Sequence, residues 1–136
     1  MMLKDFGMMF KGMDVVLLNL QYGDVQEEID EFTQATGIEI LQCESVDNRE
    51  DLDGLAALIE LCDLVVSTRN ITIHLAGALG KETWVLVSTH GGIWWLLDRT
   101  DSIWYPALRL YRQKTLDDWG GVLSNINKDL QKKFGE

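Results

Sequence analysis

The stretch Ser67-Thr68-Arg69-Asn70-Ile71-Thr72-Ile73-His74 holds the residue types best suited to gripping an anion. Asn70 fits the N-cap of a helix read over Ile71–Leu79 and ended by Gly80. The start of a helix presents backbone N–H groups with no internal partner and a partial positive charge, which suits a diphosphate. Asn70 and His74 are four apart and so share one helical face, with Gly77 one turn further on. A histidine there either donates to a phosphate oxygen or sugar hydroxyl, or packs in the core with its ring satisfied by a carbonyl. The residues leave both roles open. Arg69, beside the cap, has the planar fork that clamps a diphosphate through two N–H groups. Ser67, Arg69, Asn70, Ile71 and His74 are therefore the candidate diphosphate-binding set.

Other arrangements point nowhere so definite. No Ser-His-Asp set or pair of carboxylates has supporting context, and Gly91-Gly92 lacks the Gly-Lys-Ser/Thr continuation of a phosphate loop. Cys43 and Cys62 have no metal-ligand spacing. Cys43 falls past the carboxyl end of the second strand and Cys62 before the amino end of the third, ends roughly 16 Å apart at about five residues per strand, and beyond the ~7 Å limit of a disulfide. Trp94-Trp95 with Trp104-Tyr105 can stack a sugar or a base, or serve as core. Asp117-Asp118 favours the N-terminus of a closing helix. Neither a metal nor a cofactor is expected.

The elements that must position the set alternate along the chain. Val15–Leu20 reads as a buried strand, then a turn over Gln21–Asp24. A helix follows on the spacing of Val25, Ile29 and Phe32, closed by Gly37. Ile38–Leu41 is a short strand, Cys43–Glu50 a polar loop, and Leu52–Leu61 a helix. Asp63–Ser67 and Thr83–Val87 are the third and fourth strands, separated by the helix that Asn70 caps. Ser88–Gly92 is a small-residue loop before a short apolar helix over Ile93–Leu97. Ala107–Tyr111 is the fifth strand, and Leu116–Phe134 a closing helix with Leu116, Trp119, Leu123, Ile126 and Leu130 on one face. Short, wholly apolar strands separated by helices imply right-handed crossovers and a parallel sheet covered on both faces. The expectation is one α/β domain over residues 1–136, a three-layer Rossmann-like fold with a mainly parallel sheet of about five strands. Ligands in such folds bind outside the strands' carboxyl ends. The loops there add Gln21, Asp47 and Glu50, with Trp95, as candidate nucleobase or sugar contacts.

Composition narrows the partners. The chain has 136 residues, 46% of them hydrophobic, enough for one core without a staple. There is no apolar run of membrane-spanning length and no signal peptide, so a cytoplasmic location is expected. The formal charge of -10 argues against nucleic acid or an anionic membrane as partner. Residues 24–63 carry 13 acids against Arg49 alone, whereas residues 64–116 carry six bases against three acids. The locally basic half is the one that contains Arg69, though a solvated acidic helix beside a mixed surface gives the same distribution.

The run Ala56–Ser67, the segment His74-Leu75-Ala76-Gly77-Ala78-Leu79-Gly80-Lys81, then Trp84-Val85-Leu86, Trp95–Arg99, Trp104-Tyr105-Pro106, Arg109–Gln113 and Asp118-Trp119 together carry a family resemblance. Over roughly residues 14–130 the chain resembles the C-terminal half of the GT-B glycosyltransferases found at the end of tetratricopeptide-repeat proteins, which are similar in turn to the heptosyltransferases of glycosyltransferase family 9. The resemblance implies that this half binds a nucleotide-sugar donor while a separate N-terminal half binds the acceptor. It also implies where the chain departs. The family's Asp-Thr is Arg69-Asn70, the Arg of its Trp-Arg-Trp is Trp94, the Pro of its Ser-Pro-Trp-Tyr-Pro is Ile103, and its Asp-Thr-Ala-Ala-Leu-Ile reads Gly54-Leu55-Ala56-Ala57-Leu58-Ile59. At Arg69 an acceptor of sugar hydroxyls has become a cation with donors only.

The family's half begins with a further central strand that nothing before Val15 supplies. Closing the gap gives the strand order 2-1-3-4-5. The expected function is a glycosyltransferase-like nucleotide-sugar-binding domain, incomplete for catalysis alone; the alternative is a non-catalytic interaction or oligomerisation domain derived from a glycosyltransferase. All five methionines lie in Met1–Met13 with Phe6 and Phe10, a segment read as a short amphipathic helix. Left exposed, it favours a two-fold homodimer; folded back, it covers its own sheet.

Overall fold

The computed structural model describes residues 2–90 and 99–135. Among them run β1 (Leu17–Leu18), α1 (Gln26–Thr36), β2 (Ile40–Leu41), α2 (Leu52–Leu61), β3 (Val65–Thr68), α3 (Ile71–Ala78), β4 (Thr83–Val87), β5 (Leu108–Arg112) and α4 (Gly120–Phe134). A 3-10 helix over Leu3–Phe10 precedes them. The helix expected over Ile93–Leu97, with Trp94 and Trp95, lies outside the described residues.

The protein is mixed α/β with parallel strands throughout its two sheets. β1 pairs with β2, Leu17 opposite Ile40, and β4 lies between β3 and β5. Val65 pairs with Thr83, and Thr83 with Leu108, so these three strands start at one level. Every residue of β4 is buried, as a central parallel strand requires. Alternation then sorts its side chains: Trp84 and Leu86 face α4 and the N-terminal segment, while Val85 and Val87 pack with Ile73 of α3. On the α3 side, Val65 also joins Leu55, Ile59 and Ala76, which brings in α2.

Several sequence expectations need correction. Val15–Leu20 forms only a two-residue strand, and Val16 is 79% exposed. β1 gains one hydrogen-bonded neighbour, and among the described residues no backbone hydrogen bond joins it to β3. The orders 2-1 and 3-4-5 are present, but as separate sheets. The last helix starts at Gly120, not Leu116. Leu116 is exposed, and Asp117 takes a left-handed φ of 62° that no helix continues through. Asp117 and Asp118 thus precede the helix and its N-cap, Trp119.

The N-terminal segment folds back. Three residues per turn put Leu3, Phe6 and Met9 in one row; Met9 is wholly buried, and Phe6 and Phe10 pack beside it against the α4 core. Asn127 Nδ2 donates to the Met9 carbonyl at 2.8 Å. Of the two arrangements open to this segment, it adopts the covering one.

Candidate functional site

β3 delivers Ser67 and Thr68 to its carboxyl end, and α3 begins three residues later. Asn70 closes the turn with both ends of its amide: Oδ1 accepts from Ile73 N at 3.4 Å, and Nδ2 donates to Ser67 Oγ at 2.9 Å. The helix start is thereby fixed to the strand end. The amides of Ile71 and Thr72 have no acceptor within the helix, as in any first turn. Thr72 is buried, with 4% exposure.

Ser67, Thr68, Asn70 and Thr72 line a cleft of about 250 Å³. Across it stand Asn19 and Gln21, at the carboxyl end of β1. Asn19 Oδ1 accepts from Gln21 N at 3.0 Å, and Asn48 Nδ2 donates to Gln21 O at 2.9 Å, which ties the loop after β2 to the cleft rim. The rim is thus polar, and Glu28 of the first turn of α1 adds a carboxylate to the lining. Deeper, the walls are apolar, with Phe10, Phe32 and Ile40.

Of the residues singled out from sequence, Ser67, Asn70 and Gln21 come together on this cleft. Arg69 and Ile71 are exposed in the adjoining turn and first helical residue. Asp47 and Glu50 do not border it. Asp47 Oδ1 accepts from Arg49 N and Glu50 N, which satisfies the loop's own amides, and Glu50 meets Arg49 at 3.7 Å on the surface. Trp95 lies outside the described residues.

His74 is partly buried, and its Nδ1 lies 3.1 Å from the Tyr105 hydroxyl. The two rings meet edge-on with centroids 5.7 Å apart. Tyr105 reaches α3 because position 77 is glycine: a Cβ there would come within 2.5 Å of the tyrosine ring. Ser102 Oγ accepts from the Tyr105 amide at 3.2 Å and holds the loop in place. A side chain thus occupies Nδ1, rather than a backbone carbonyl.

Sequence reasoning missed Tyr105 as a partner of His74, although Gly77 one turn on was a usable signal. It also missed Gln113, buried just past β5, whose Oε1 accepts from Thr89 N at 3.2 Å while its Nε2 has no partner among the described residues. No signal in the sequence separates this glutamine from a surface one.

Burial pushes the Cys62 thiol above its ordinary 9.0, with Lys81 opposing, the reverse of an activated thiolate. Both cysteines are free. Among the described residues no group of three or more His, Cys, Asp and Glu side chains could hold a metal ion, and no helix is long and apolar enough to cross a membrane.

No protein-family model matches this chain, and no solved structure does. It is similar to Protein FlbA of Caulobacter vibrioides, with 38% identity over 117 residues, or 86% of this chain and 19% of that protein. The chain therefore spans about a fifth of the length of that curated relative.

Proposed function

We propose that this is a glycosyltransferase-like domain that binds the diphosphate of a nucleotide-sugar at the carboxyl ends of β1 and β3. On this reading the two sheets are parts of one Rossmann-like, three-layer sheet in the order 2-1-3-4-5, opened between β1 and β3, and the domain is a GT-B donor half. The convergence of Ser67, Asn70 and Gln21 on one cleft beside the start of α3 carries the reading. The diphosphate takes the amides of Ile71 and Thr72, with the Arg69 guanidinium alongside. A volume of about 250 Å³ is just under the ~300 Å³ of the smallest usual ligand pockets, so the cleft holds part of a nucleotide-sugar and the rest lies over the rim. With a cation at Arg69 where the family has an acceptor of sugar hydroxyls, residues 1–136 by themselves transfer no sugar.

Calorimetry with UDP, GDP and ADP tests the reading. Weak binding with amide shifts centred on Asn70 is the expected result. Absence of both at millimolar ligand sinks it. Sugar transfer from a nucleotide-sugar that vanishes in Arg69→Ala would overturn the inactivity.

A further inference from the structure

The 3-10 helix over Leu3–Phe10 borders the cleft as well as the core. Leu3, Phe6 and Phe10 line the cleft, while the segment packs against both α1 and α4 and buries Met9 wholly. Its own hydrogen bonds hold it weakly. A 3-10 helix has poorer hydrogen-bond geometry than an α-helix, and runs beyond about 3–4 residues are uncommon; this one has 8. Packing therefore keeps it in place, with the bond from Asn127 to the Met9 carbonyl as its latch. Just beyond it Gly12 takes a φ of 75°, and a Cβ built there would meet nothing within 4 Å. That turn depends on glycine's backbone freedom and not on any neighbour, which suits a hinge.

One contact controls the docking on α1. Gly7 is buried there, and an added Cβ would overlap Thr36 Cγ2. Thr36 cannot turn that methyl aside, because its hydroxyl is held on both sides: Oγ1 donates to the Phe32 carbonyl at 2.7 Å and accepts from Ile38 N at 3.1 Å. Neither Gly7 nor Thr36 lines the cleft, so the docking can be altered without touching the site.

We propose that Leu3–Phe10 is a hinged strap that narrows the cleft while docked and admits the whole nucleotide-sugar when it lifts. This rests on the reading of the cleft given above. The cleft of about 250 Å³ holds only part of that ligand, and three of its wall side chains belong to the strap. Lifting the strap takes those three away, while Ser67 and Asn70 stay with β3 and the start of α3. Binding then works against docking. The apparent affinity is the intrinsic one reduced by the fraction of molecules whose strap is open.

Gly7→Ala is the test. Hydrogen peroxide passes one oxygen atom to a methionine sulfur, giving the sulfoxide, and leaves as water, so peptide mass spectrometry reads the access to each thioether. In the native chain the exposed Met8 should oxidise at least tenfold faster than the buried Met9; in Gly7→Ala the two rates should converge. Ile40→Cys, made with Cys43→Ser and Cys62→Ser, reports on the cleft wall itself, and its maleimide labelling should quicken at least tenfold when Gly7→Ala is added. UDP should bind at least tenfold tighter to Gly7→Ala than to the native chain. Thr36→Ser keeps the hydroxyl and removes the overlapped methyl, so combining it with Gly7→Ala should restore all three native values, which general unfolding would not allow. Met9 as slow in Gly7→Ala as in the native chain, unchanged labelling or unchanged UDP affinity once Met9 is released, or no restoration by Thr36→Ser overturns the proposal. Quickened labelling with no UDP binding in any variant supports the strap and overturns the nucleotide reading instead.

Discussion

Gly77→Ala tests whether the His74–Tyr105 contact is built as described. In an isolated helix this change stabilises, by about 1 kcal/mol. Here the new methyl would sit 2.5 Å from Tyr105 Cγ, 2.8 Å from Cδ1 and 2.9 Å from Cβ. These atoms lie at the root of the side chain, so no rotation of a flexible tip relieves all three. The Tyr105 backbone is held as well, by Ser102 Oγ and by Leu108 N, which donates to its carbonyl at 3.1 Å. Overpacking of this kind costs about 1–3 kcal/mol, and parting Tyr105 from His74 adds about 1 kcal/mol. The net expectation is a loss of about 1–3 kcal/mol, or a fall in Tm of roughly 3–10 °C for a chain of this size. The decisive measurement is the double-mutant cycle with Tyr105→Ala, followed by thermal unfolding. Without the ring the sign should reverse, and Gly77→Ala should stabilise by its helical propensity. If the loss is the same in both backgrounds, the ring is not what the glycine accommodates, and the reasoning fails.

Three further outcomes are expected. Tyr111 donates to Asp129 Oδ2 at 2.8 Å, and burial, then this bond, push its pKa above the ordinary 10.0. A folded pKa above the unfolded one means stability that is intact below about pH 10 and declines above it; urea unfolding from about pH 8 to 11 should show that decline in the native chain and a flatter profile in Tyr111→Phe. Met9→Ala should cost about 2–5 kcal/mol, since Met9 is fully buried; a chemical-denaturation midpoint that does not move would mean the N-terminal segment is undocked. Asn70→Ala should cost about 1 kcal/mol through the lost cap and weaken nucleoside diphosphate binding in calorimetry, because the turn no longer holds Ser67 and the α3 start together.

Local signals located most elements. Gly37 ends α1 in the left-handed conformation that glycine favours, φ 72°, and α2 spans Leu52–Leu61 as its apolar spacing indicates. Asn70 caps α3 as its type and position imply. What failed depends on neighbours distant in sequence. Leu116 fits the spacing of the last helix, yet the turn at Asp117 takes it out of the helix. Val15–Leu20 reads as buried because a run of aliphatic residues is its own signal, but burial depends on what packs over each face, and Val16 is left 79% exposed. At the site, Ser67, Asn70 and Gln21 converge because parallel strands place their carboxyl ends together. Asp47 and Glu50 belong to the correct loop, but Asp47 is occupied in shaping that loop. Loop membership was legible; side-chain direction was not.

The hydrogen bond from Asn127 to the Met9 carbonyl joins residues 118 positions apart, and this has a consequence for biosynthesis. Phe6 and Met9 of the apolar row pack on α4 as well as beside α1, and the ribosome makes α4 last among the described elements. At roughly 5–20 residues per second, the nascent chain carries that row without this part of its cover for roughly 6–24 s. Hydrophobic collapse takes at most ~100 μs for a chain of this size, so the segment has ample time to find other apolar surface first. A nascent chain arrested before Gly120 should therefore crosslink through its N-terminal methionines to chaperones or neighbouring chains, and one released after Phe134 should not.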